Sequence, residues 1–214
     1  MIKKQEILQI TIALIILTFS VNYYQVFSQK IDYFLLGATF VFLAIIIGTN
    51  IFAKKITAYY YETTMKIKIW EFQRYGYGPK MKFNKPLPFG ILMPFFLALA
   101  SAGNFLWMAC LEFDVYSTPA RASRRHGIFR FTEVTEFHMG LIALAGVVAN
   151  LGLSIIAYVV GLTELSKLSI YYAFYSIIPF SSLDGSKILF GKKEIWVAIS
   201  IICLIFLFAS LTLI

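Results

Sequence analysis

The sequence predicts a polytopic, all-α membrane protein: about five transmembrane helices, a re-entrant hairpin and a small cytoplasmic β-hairpin. Three observations carry this. The chain of 214 residues is 59% hydrophobic and only 14% charged, whereas soluble domains lie near 45–50% and about 25%. Several apolar runs approach the roughly 20 residues that cross a bilayer. Lysine and arginine also fall almost entirely on one side in one arrangement of those runs. No internal repeat or low-complexity linker divides the chain, so residues 1–214 read as a single membrane domain.

The first run, about 7–27, follows a basic start and lacks a small-residue cleavage site, so it reads as a retained span rather than a signal peptide. Further runs cover about 33–53, 138–162, 168–186 and 194–214. The run at 168–186 breaks at Pro179, within "IIPFSSLDGSKILFG". Residues 88–111 are long enough to cross, but Pro94 interrupts them and Ser101, Ala102, Gly103 and Asn104 form a turn-prone centre. "MKIKIWEF" sets Lys66 and Lys68 against Ile67 and Ile69 with period two, and "RYGYGPKMKF" supplies a turn and second strand. That pattern predicts a β-hairpin, with an irregular basic loop as the alternative. Residues 117–137, rich in arginine and aromatics, read as interfacial.

Charge decides how 88–111 runs. If every segment crosses, Lys and Arg divide 11 against 8; if 88–111 dips in and returns, they divide 17 against 2. The positive-inside rule selects the second. It places the N-terminus in the cytoplasm, the C-terminus outside and residues 54–137 on the cytoplasmic side of a multi-pass cell-membrane protein. The net charge of +8 then reflects cytoplasmic loops and lipid headgroups rather than nucleic acid. Cys110 and Cys203 lie in apolar runs without metal or redox spacing.

An ionisable group in a membrane segment is a functional candidate. Asp184 follows Pro179 and Leu183 and precedes Gly185. A single carboxylate there could ligate a metal, hold a proton, pair with a cation, or cap the next turn, as Ser181 and Ser182 also could. Ser182 or Ser186 with Lys187 would be a serine–lysine arrangement, but no oxyanion device is legible. His126 and His138 read as interfacial side chains.

"IIPFSSLDGSKILFG" resembles the Pro-x-x-x-Leu-Asp-Gly motif of site-2 proteases, the intramembrane zinc metalloproteases. "LIALAGVVANLGLSI" is similar to that family's Ala-Gly-Pro-x-x-Asn pattern through Gly146 and Asn150, with Val147 in place of proline. The likeness spans about 33–192 and leaves 7–27 and 194–214 as extra helices. It implies a site in which Asp184 is the third zinc ligand, beside two histidines and a glutamate base from His-Glu-x-x-His. Zinc needs about three protein ligands and an open position, and i, i+4 spacing places two side chains on one helix face.

That motif is missing. Aligned on "IIGTNIFAKKITAYYYE", Asn50 and Lys54 stand at the histidine positions and Ile51 at the glutamate. No metal and no cofactor is expected. Loss of a dication leaves a carboxylate uncompensated, so Lys54 is expected to pair with Asp184, with Asn50 hydrogen-bonding nearby and Lys55 as the register-shifted alternative. The resemblance implies a catalytically inactive protein that binds a transmembrane or extended polypeptide without cleaving it. Its partners would be lipid and such a segment, with Ile67 and Ile69 on the binding strand. The alternative is an active zinc protease with displaced or partner-supplied ligands. A transporter, with broken segments lining a path, lacks the repeat that would support it.

Overall fold

A computed structural model describes residues 4–23, 32–74, 82–119, 123, 125–126, 129–130 and 134–212. Its helices are α1 (Lys4–Val21), α2 (Tyr33–Tyr60), α3 (Phe89–Ala100), α4 (Glu136–Val160), α5 (Thr163–Ile177), α6 (Asp184–Gly191) and α7 (Lys193–Thr212). Its strands are β1 (Thr63–Ile69), β2 (Phe72–Arg74), β3 (Lys82–Leu87), β4 (Leu111–Ser117), β5 (Arg125–His126) and β6 (Phe129–Arg130). Among the described residues, four helices, α1, α2, α4 and α7, are long and apolar enough to span a membrane. The apolar run with Pro179 gives α5 instead, whose 15 residues extend about 22 Å. The chain divides into two units, Met1–Leu43 with Ile67–Glu112 and Ala44–Lys66 with Phe113–Ile214.

In the first unit, Asp32 starts α2 by accepting the amides of Phe34 and Leu35 at 3.0 and 3.4 Å, as an aspartate N-cap does. Phe19 of α1 stacks on Phe95 of α3 at 5.7 Å between centroids. Helix α3 has 12 residues and reaches about 18 Å, well under the roughly 30 Å of a bilayer core. It ends in a turn where Ala102 and Gly103 take positive φ and the Ser101 hydroxyl accepts the Phe105 amide at 2.9 Å. The chain then comes back. The Cys110 carbonyl accepts the Trp70 amide, and the Trp70 carbonyl accepts the Gly90 amide, each at 2.9 Å. A side chain at Gly90 would run into the Cys110 backbone. The two ends of 88–111 therefore lie side by side.

The β-hairpin differs from the sequence reading. Strand β1 has the expected alternation, burying Thr63, Met65, Ile67 and Ile69, but its partner is β4. The hairpin proper is β2 with β3, antiparallel, pairing Phe72 with Leu87 and Arg74 with Lys82. Trp70 separates the two sheets, because its backbone groups are taken by Cys110 and Gly90. The expected turn at 75–81 and nine of the 21 residues of 117–137, including Arg121 and Arg124, lie outside the described residues.

In the second unit, α4 starts at Thr135, whose hydroxyl accepts the His138 amide. Helices α4 and α5 are joined by hydroxyls: Ser166 donates to the Ser154 carbonyl and Ser169 to the Asn150 carbonyl, both at 2.8 Å. Such bonds satisfy polar groups between apolar helices. Ile178 precedes Pro179 and is extended, with ψ 125, since the pyrrolidine ring excludes the helical conformation there. That stops α5 at Ile177, whose free carbonyl accepts the Trp196 indole N–H at 3.0 Å.

Candidate functional site

Pro179, Leu183 and Gly185 place Asp184. Once α5 has stopped, Ser181 turns the chain with φ 51 and α6 begins at Asp184. A Cβ on Gly185 would overlap the carbonyls of Ile177 and Ile178, so glycine lets the start of α6 press against the end of α5. Leu183, fully buried, anchors the turn. It holds the N-cap position without a side-chain cap, so the N-cap is neither Asp184 nor one of the serines before it. Asp184 is directed inward, with only 4% exposure.

The Lys54 ammonium lies 2.5 Å from Asp184 Oδ2. Lys54 is 6% exposed, and it is this lysine rather than Lys55 that reaches the carboxylate. In an interior of low dielectric both ions need a partner, because breaking such a pair strands the survivor. Helix α4 makes room for the lysine. A Cβ at Gly146 would lie 2.5 Å from Lys54 Cε and 2.7 Å from Asn50 Nδ2. Asn50 does not fit its expected role: it packs on Gly146, and its Nδ2 has no hydrogen-bond partner among the described residues. Both side-chain atoms of Asn150, one turn beyond Gly146, and Asp184 Oδ1 are likewise unpartnered.

Gly146→Ala is expected to cost about 1–3 kcal/mol, the usual penalty of overpacking. Gly152, with nothing within 4 Å of an added Cβ, is the control. Thermal unfolding should drop for Gly146→Ala and not for Gly152→Ala.

One contact had no sequence expectation. Phe113 of β4 is 1% exposed, and its ring centroid lies 5.0 Å from the Lys54 ammonium and 3.7 Å from that of Lys187. Lys187 also donates to the Phe113 carbonyl, which directs it away from a serine–lysine arrangement with Ser182 or Ser186. The signal missed was the aromatic and apolar content of "LEFDVYS", hidden by its irregular alternation.

The other candidates lie elsewhere. Ile51 is buried on α2, and the Ile67 and Ile69 side chains are buried, so the side chains that β1 exposes are Thr64 and Lys66 instead. His138 Nδ1 lies 2.5 Å from the Thr135 hydroxyl and its ring is 4.7 Å from that of Tyr61. The His126 side chain is outside the described residues. Among those described, no three His, Cys, Asp or Glu side chains come together. Among the described residues at the site, Asp184 is the single anionic donor and the Lys54 ammonium sits against it, a set that does not fit zinc.

No family model matches the chain, and neither a curated protein nor a solved structure matches it. The likeness to site-2 proteases rests on the motif residues.

Proposed function

We propose that the protein is a site-2-protease-like integral membrane protein that has exchanged its zinc site for an ion pair, and that it binds a membrane-embedded or extended polypeptide without cleaving it. The supporting observation is the buried Lys54–Asp184 contact at 2.5 Å, built from two positions that the resemblance assigns to metal ligation. A fixed ammonium compensates the carboxylate as a dication would, but it offers no open coordination position for water. The topology goes with this reading: five crossings with α5 as the short one, 88–111 re-entrant, the N-terminus cytoplasmic and the C-terminus outside. The adjacent ends of 88–111 and the 17-to-2 division of basic residues support it.

Elemental analysis tests the exchange. Purified protein is expected to carry far less than one zinc per chain; one zinc per chain that disappears in Asp184→Ala overturns it. Binding is tested with a photo-crosslinking residue at exposed Tyr116 on β4 in native membranes. A discrete polypeptide adduct is expected there and not at Val159 on α4. The same smear from both positions rules the binding half out.

A further inference from the structure

We propose that Phe113 and Lys187 form a latch that holds β4 closed over the Lys54–Asp184 pair, so that the site becomes accessible only when the latch releases. This rests on the polypeptide-binding reading and adds its regulation. The first support is the way Lys187 grips the strand. It holds Phe113 twice, by a bond to the backbone carbonyl and by its ammonium over the ring at 3.7 Å. Asp184 and Lys187 are three residues apart on α6 and share a face, so one helix face holds Lys54 through the carboxylate and Phe113 through the ammonium. The ring also lies within cation–π range of Lys54, at 5.0 Å. Thr118 directs its amide to Glu62 beside β1. By the alternation of an antiparallel ladder, Phe113 then turns its carbonyl to the other edge of β4. Lys187 thus takes hold of the edge that β1 leaves open.

The second support is what the closed arrangement leaves unsatisfied. Among the described residues, Asn50 Nδ2, Asn150 Nδ2 and Oδ1, and Asp184 Oδ1 have no hydrogen-bond partner, although all three residues are more than nine-tenths buried. Buried polar atoms without partners destabilise the state that contains them. The set holds both donors and acceptors, the complement of a backbone amide. Opening over the Lys54–Asp184 pair gives Asp184 Oδ1 room for a partner while it loses the contacts of Lys187. One feature gives the movement room. A groove of about 130 Å³ beside Lys187, lined also by Glu136, Met139, Ser181, Ser186 and Phe190, can receive the released side chain.

Amide hydrogen exchange of the full chain tests this without any partner or zinc, so its failure leaves the binding reading separately testable. Lys187→Met keeps most of the stem and removes the ammonium. Exchange across residues 113–117 is expected to quicken at least tenfold, with residues 142–156 of α4 unchanged. Phe113→Leu, which keeps an apolar side chain and removes the ring, should do the same. Unchanged exchange at 113–117 in both variants overturns the latch. A matching rise at 142–156 also overturns it, since the substitution would then have loosened the whole unit.

Discussion

Replacing Lys54 with methionine is expected to lower thermal unfolding by on the order of 10 °C, the equivalent of about 3–5 kcal/mol in a chain of this size. Methionine keeps the apolar length that packs on Gly146, so lost volume is not the cause. The cause is Asp184, left as a carboxylate with 4% exposure and no cation in contact. Adding Asp184→Leu to Lys54→Met should recover most of the loss, because a buried ion pair exchanged for apolar side chains is close to neutral. The reverse single substitution should be milder. In Asp184→Asn the surviving lysine still has the Phe113 ring within 5.0 Å and a long stem that can carry its charge toward water. The order expected is therefore Lys54→Met below Asp184→Asn, with the double variant nearest the parent. Equal stability for Lys54→Met and the parent would mean that the pair contributes nothing to the fold.

How far this site could be read from the sequence depended on which residues carried local signals. The break at Pro179 follows from one ring, which forces Ile178 out of the helix. The return of 88–111 follows from Pro94 and the small residues after it, and the charge count reinforced it. Lys54 and Asp184 are 130 residues apart, and no local pattern links them. Only the argument that a carboxylate must be compensated, applied to positions named by a resemblance, related the two. Strand β4 escaped because its periodicity fails: Glu112 and Phe113 are adjacent and both buried. Glu112 is buried because Lys68 pairs with it at 3.2 Å, and Phe113 because two lysines flank its ring. Both reasons are tertiary. The same failure gave β1 the wrong partner, since an alternating strand states which face is buried and not what lies along its edge.

Placing the ligand types of the site-2 protease motif at Asn50, Ile51 and Lys54 should create a metal site. The triple variant Asn50→His, Ile51→Glu, Lys54→His places two imidazoles at i and i+4 on α2, one face of one helix, opposite the Asp184 carboxylate that Lys54 now reaches. Gly146 leaves the space beside them that it now leaves for Asn50 and Lys54. Three protein donors suffice for zinc with one position open. The purified variant is expected to hold about one zinc per chain, and adding Asp184→Ala should abolish it. Stability should follow the metal in sign. Without zinc the triple variant has lost its buried cation and gained a glutamate, so it should unfold below the parent. With zinc at 100 times its dissociation constant, mass action returns about 2.7 kcal/mol. A parent chain that ignores zinc beside a triple variant that is rescued by it would indicate that α2 and α6 still stand as the vertices of a metal site. A triple variant that folds yet takes up no zinc would restrict the likeness to the turn around Asp184, and Lys54 would then be that carboxylate's original partner rather than its replacement.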